Sequence, residues 1–211
     1  MHREILNWFD LLKANHGELF EGKKVLEAGS LDINGSPRKY FNADTCEYIG
    51  VDAKEGNGVD WWGMFHEYNE KPDYYFDICV TTEMLEHDPF WRMTLSHMVQ
   101  KTTIGGSLII SCAGPGRGPH GVKYWQDPND ANSHIDEYHP WGPERDYYWN
   151  IKPELLLWEL FSIASFKEMY YYSYRDGQDL CLLAKDMYIQ KINYYNRGQV
   201  AILRKYEKTE I

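Results

Sequence analysis

The chain has 211 residues and a formal charge of −10, enough for one α/β domain with its own core and short for two. With 43% hydrophobic and 26% charged residues it is composed as a globular protein, and no run approaches the roughly 18 apolar residues that span a bilayer. The acidic balance disfavours nucleic acid as a partner, because phosphate-backbone affinity rests largely on cationic contacts.

The first twenty residues, MHREILNWFDLLKANHGELF, lack the cationic start and apolar block of a signal peptide. Ile5, Trp8, Phe9 and Leu12 recur at helical spacing and predict an amphipathic N-terminal helix. Lys24–Ala28 (KVLEA) then reads as a buried parallel strand, as do residues 48–51 (YIGV), 76–81 (FDICVT) and 107–112 (SLIISC). Between the first two, Ser36-Pro37 has an N-cap residue followed by proline and predicts a helix continuing through residues 38–41. Residues 87–103 predict a second crossover helix, ending before a Gly105-Gly106 turn. Pro153–Ile163 (PELLLWELFSI) predicts a third.

Residues 166–174 and 180–184 flank Asp176-Gly177, a favoured hairpin turn. The order predicts an α/β fold: a Rossmann-like, doubly wound, mostly parallel sheet with an antiparallel C-terminal hairpin and helices on both faces. One domain is expected over residues 1–186, with a long loop insertion at about 113–150 and a C-terminal tail at 187–211. The four cysteines show no Cys-x-x-Cys pairing, and three fall inside apolar runs. Reduced core cysteines in a cytoplasmic protein are therefore expected.

The chemistry gathers after the first strand. Gly29 and Gly35 frame a turn (GSLDING) that permits close backbone approach, and a helix starting at Ser36 would offer free N–H groups. Asp52 stands 23 positions beyond Gly29 at the end of the second strand, where an acid can accept hydrogen bonds from ribose hydroxyls. Carboxyl ends of strands in a doubly wound sheet are where ligands sit.

In these residues the chain resembles the class I S-adenosylmethionine-dependent methyltransferases, from Lys24 to about Ala184. Glu27-x-Gly29 is similar to that family's first motif and Asp52 to its ribose-binding acid. Val59-Asp60 resembles the segment bordering the adenine, and FDICVTTEMLEH (76–87) the fourth strand and its turn. The resemblance implies S-adenosylmethionine as cofactor, held by Glu27, Gly29, Asp32, Gly35, Asp52, Asp60, Trp61, Thr82 and Glu83. One departure stands out: the family's Gly-x-Gly-x-Gly is here the longer Gly29-Ser-Leu-Asp32-Ile-Asn-Gly35. That loop also disfavours a nicotinamide-dependent enzyme, since a pyrophosphate needs Gly-x-Gly-x-x-Gly.

Methyl transfer from a sulfonium needs alignment, exclusion of water and, for a protonated acceptor, a base. His120, just past the fifth strand, is the expected base, and His87, Tyr124, Trp125 and His139 the expected acceptor contacts. The aromatic density of residues 113–150 suggests a lid over the acceptor. Plainer roles stay open: Glu27 can satisfy loop amides, Asp60 a turn, and Trp61 the core. Glu83, Glu86 and His87 can simply favour a helix N-terminus. His134, Asp136 and His139 lack a further ligand at metal-binding spacing, so no metal is expected. The expected activity is methyl transfer to an O or N atom of a small-molecule acceptor. The alternative is a catalytically silent binding or assembly module on the same fold.

Overall fold

The computed structural model describes residues 2–118, 120 and 148–188, together with the backbone of residues 135–136 and of Tyr147. Its helices are α1 (Arg3–Asn15), α2 (Trp91–Lys101) and α3 (Pro153–Ile163). The strands are β1 (Lys24–Ala28), β2 (Glu47–Asp52), β3 (Trp61–Trp62), β4 (Phe76–Thr82), β5 (Thr102–Ala113), β6 (Ile135–Asp136), β7 (Tyr147–Tyr148), β8 (Ser165–Tyr174) and β9 (Asp179–Tyr188).

Seven strands form one sheet in the order β3-β2-β1-β4-β5-β9-β8. The five from β3 to β5 run parallel, and β9 is antiparallel to both β5 and β8. This is the expected Rossmann-like sheet with its antiparallel hairpin. The connection leaving β1 runs to β2 on one side and the connection leaving β4 runs to β5 on the other, so the crevice at the carboxyl ends of β1 and β4 is the topological switch point.

Alternation along the strands divides the core between two faces. Val25, Ile78, Val80, Ile109, Cys181 and Leu183 meet Ile5, Trp8, Phe9 and Leu12 of α1, all four of which are buried as their spacing predicts. Leu26, Cys79, Leu108, Ile110, Cys112, Leu180 and Leu182 meet Trp91, Leu95 and Met98 of α2 and Leu156 and Leu160 of α3. Helices thus cover both faces. Cys79, Cys112 and Cys181 are buried free thiols, and Cys46 is a half-buried one.

Three expectations change. The helix expected from Ser36 is a single 3-10 turn, Pro37–Tyr40. Ser36 does cap it, its Oγ accepting from the Arg38 amide at 3.0 Å. Extension then stops, because Phe41 turns extended and the Thr45 and Cys46 amides bond to the Asn42 carbonyl to feed β2. A turn this short has no appreciable dipole, so the anion site argued from it is lost.

The second crossover helix starts at Trp91, four residues later than expected. Asp88 stops the chain there, its Oδ1 accepting from the Phe90 amide at 2.8 Å and its Oδ2 from the Thr94 hydroxyl at 2.5 Å. Gly105-Gly106, expected as a turn, lies inside β5, where the β4–β5 register shifts between Phe76 and Ile78. Two steps along β4 there face five along β5, from Thr102 to Ser107, and extra residues of this kind bulge a strand without ending it.

Candidate functional site

The first half of the site is built by β1, β2 and the turns that follow them. Gly29 and Ser30 donate their amides to the Val51 carbonyl at 2.9 and 3.1 Å, which folds the turn across the end of β2. Asp52 ends β2, and each carboxylate oxygen takes one amide: Leu31 at 3.1 Å and Lys54 at 2.9 Å. A carboxylate has about four lone-pair positions, so Asp52 keeps acceptor capacity for two hydroxyls. Asp32 Oδ1 accepts the Gly35 amide at 2.7 Å, and the Asp32 amide donates to the Asn57 carbonyl at 2.9 Å. That close approach of the two loops needs Gly50, where a Cβ would stand 2.3 Å from the Gly58 carbonyl oxygen.

Glu27 is 1% exposed and accepts the Tyr48 hydroxyl at 2.9 Å. Burial pushes its carboxyl up to about 8, against the pull of the Tyr48 bond and of Arg38 and with a further push from the charges of Asp52 and Asp32. Glu27 therefore lies close enough to Asp52 and Asp32 to feel their charges.

Asp60 stands apart from this work. Its carboxylate takes the Gly50 amide at 2.7 Å and pairs with Arg38, which also caps the Tyr48 carbonyl. Trp61 packs edge-on against Tyr68 in the core, and Trp62 is exposed with its indole N–H on the Ala53 carbonyl at 2.8 Å.

The second half lies across the switch point, beyond β4 and β5. Thr82 closes β4 and is buried. Glu83 has φ +54° and accepts from Arg117 at 2.5 Å, His2 at 3.0 Å and the Ser111 hydroxyl at 3.3 Å. Burial would raise its carboxyl, but His2 and Arg117 hold it below the usual carboxylate range. Asp179, fully buried at the start of β9, pairs with Arg117 and with Arg175 at 3.0 Å. His2, Arg117 and Asp179 were not anticipated as neighbours of Glu83.

Glu86 follows in the 3-10 turn Leu85–His87 and has no solvent exposure. Among the described residues no hydrogen bond of normal geometry reaches either of its carboxylate oxygens, and burial and then the charge of Glu83 raise it to about 8, against the pull of the Glu86 and Ala113 amides and of Arg117. This turn is not the start of α2, so the dipole account of these acids does not apply. His87, His120 and Tyr148 close around it, their rings mutually edge-on at 5.1 to 5.3 Å. His120 Nδ1 donates to the Gly118 carbonyl at 3.3 Å, an assignment that leaves the Nε2 lone pair open. Burial and then Arg117 hold the His120 ring below its usual range, hence neutral near pH 7.

Gly29 and Met84 join the two halves, as Met84 packs directly onto the glycine. The structure thus brings together Glu27, Gly29, Asp32, Gly35 and Asp52 on one side, and Thr82, Glu83, His87 and His120 on the other. Tyr124, Trp125 and His139, most of the 113–150 lid segment, and nearly all of the 187–211 tail lie outside the described residues, as do His134 and the side chain of Asp136.

No protein-family model and no curated protein sequence matches the chain. Solved structures do. The 1,6-didemethyltoxoflavin-N1-methyltransferase of Burkholderia thailandensis, solved with 1,6-didemethyltoxoflavin and S-adenosylhomocysteine, matches at 16% identity and a TM-score of 0.54, over 84% of this chain and 76% of that one. An S-adenosylmethionine-dependent methyltransferase from Mesorhizobium loti matches at 12% identity and 0.55, over 83% and 96%. The [4+2]-cyclase SpnF matches at 14% and 0.52, over 79% and 59%. At such identities the likeness speaks for architecture, and the chain has the Rossmann-like fold of the S-adenosylmethionine-dependent methyltransferases.

Proposed function

We propose that this chain is an S-adenosylmethionine-dependent methyltransferase acting on an O or N atom of a small-molecule acceptor. The carrying observation is the convergence of Glu27, Asp32 and Asp52 at the carboxyl ends of β1 and β2. The charges of Asp32 and Asp52 beside a switch point repel a pyrophosphate, and together with the buried Glu27 carboxyl they suit a ligand with a ribose and a cationic tail. When bound, the donor supplies a methyl group on a sulfonium, open to in-line displacement.

In this reading Asp52 receives the ribose hydroxyls, while Glu27 and Asp32 face the ammonium end. Gly29, at φ +78°, turns the chain so that its backbone borders the ligand. The acceptor lies toward His87, His120 and Tyr148, where the neutral imidazole of His120 offers a lone pair suited to a proton acceptor and to a metal ligand alike. The same fold carries a [4+2]-cyclase, so architecture alone does not decide the reaction.

Calorimetric titration with S-adenosylhomocysteine tests the reading. Saturable heat and a raised melting temperature are expected, since a ligand that binds only the folded state stabilises it by mass action. No heat and no melting shift at millimolar ligand would leave the fold without its donor and overturn the proposal.

A further inference from the structure

We infer that Glu86, His87 and His120 form a binding site for a borderline divalent cation of the Zn2+, Co2+ or Fe2+ class. One potential ligand atom from each residue lies within 4.8 Å of the other two, and Glu86 Oε1 is 4.0 Å from His120 Nε2. Ligands sharing an ion at about 2.1 Å are at most about 4.2 Å apart, so small side-chain rotations complete the set. The two rings are perpendicular at 5.1 Å, which lets both present nitrogens to one point without stacking.

Glu86 is the independent reason for a cation here. A carboxylate wholly removed from water costs several kcal/mol unless something compensates it, and among the described residues neither of its oxygens has a hydrogen-bond partner of normal geometry. Arg117, whose charge reaches Glu86, is already held by Glu83 and Asp179. The His120 Nδ1–H bond to Gly118 leaves a bare Nε2 4.0 Å from Glu86 Oε1, too far apart for a hydrogen bond between them. A divalent ion between the two reaches both. Two imidazoles and one carboxylate select borderline ions over Mg2+ and Ca2+, which prefer all-oxygen sets. Tyr148, whose ring packs on both imidazoles, has a buried hydroxyl also without a partner among the described residues, a group able to hydrogen-bond a water on the ion.

A second cluster, His2, Glu83 and Asp179, makes no such case, because Arg117 and Arg175 already supply its counter-charge. As a ligand, His120 is not the base of methyl transfer, and the ion site stands whether or not the donor reading holds.

The test is a Co2+ titration of the full chain after chelator treatment and dialysis. Visible d–d absorption saturating at about one equivalent is expected, with displacement by Zn2+ but not by equimolar Mg2+. Glu86→Gln and His120→Ala should each weaken Co2+ binding at least about tenfold, while His16→Gln leaves it unchanged. Should Glu86→Gln fail to fold, the half-exposed His120 carries the test alone. Absence of the band up to millimolar Co2+, or a band indifferent to His120→Ala, overturns the site. A parallel S-adenosylhomocysteine titration separates the outcomes: donor heat without a Co2+ band removes only the ion, and a band without donor heat removes only the methyl-transfer reading.

Discussion

Met84 lies over Gly29 so closely that a methyl group on residue 29 would stand 2.5 Å from its Cγ and 2.6 Å from its Cβ. Gly29 also holds φ +78°, a region that side chains rarely adopt. Gly29→Ala therefore faces backbone strain and overlap with an atom anchored to the main chain. A loss of about 1–3 kcal/mol in urea unfolding is expected. Adding Met84→Ala should recover only part of it, since the Cβ overlap persists. A Gly29→Ala variant as stable as wild type would mean that the β1 and β4 turns do not pack together in this way.

Asp52 binds two backbone amides as well as its expected ribose. Asp52→Ala should weaken S-adenosylhomocysteine by about 1.5–3 kcal/mol per charged hydrogen bond lost, at most. It should also lower stability modestly by freeing the Leu31 and Lys54 amides, both near the surface. Asp52→Asn keeps one acceptor oxygen and should fall between. Calorimetry and thermal melts on the same samples read both effects, and unchanged affinity in a folded Asp52→Ala variant would return Asp52 to a purely structural role.

Glu27 sets a pH dependence. Its folded carboxyl sits at about 8, above the ordinary glutamate value, so the unfolded chain gives up this proton more readily. Its contribution to stability is complete below about pH 4.5 and is lost as pH rises through 8. Glu27→Gln should flatten the melting-temperature profile across that window. Arrival of an ammonium group beside it should expel up to about one proton, visible as buffer-dependent heat during donor titration. Parallel pH profiles for wild type and the Glu27→Gln variant would refute the assignment.

The sheet was legible because buried parallel strands read as short continuous apolar runs, and β1 and α3 fall at their expected bounds. Two-residue β3 leaves no such signature. Ser36-Pro37 misled because the same cap chemistry opens a 3-10 turn as well as an α-helix, and only the Asn42 turn decides between them. Asp52 could be anticipated from spacing within one β-turn-β unit. Glu86 could not: an acid four residues past a strand looks the same in sequence whether it is solvated or buried. The His2–Glu83 contact spans 81 positions and the Arg117–Asp179 contact 62, and no local pattern announces pairings made by the tertiary fold.

His2 ties the start of the chain to this site, its Nε2 3.0 Å from Glu83 and 3.4 Å from Asp179 and its Nδ1 3.0 Å from Glu4. Burial pulls the ring down, but the bonds to Asp179 and Glu83 and the Glu83 charge outweigh it, against Arg117, and hold it up to about 9. With the folded value above the unfolded 6.5, the stabilisation is complete below about pH 6.5 and disappears as pH rises through 9. This window overlaps the upper part of that of Glu27 and extends beyond it, so the two variants are separable. His2→Gln should lower the melting temperature at pH 6 and converge on wild type by about pH 10, whereas the Glu27 effect is already spent above about 8. Hydrogen exchange at the first turn of α1 should quicken in the His2→Gln variant at pH 6, because fraying of that turn is what the ion pairs to Glu83 and Asp179 oppose. If wild type and the His2→Gln variant melt alike at pH 6 and exchange alike at α1, His2 is not held as a charged anchor.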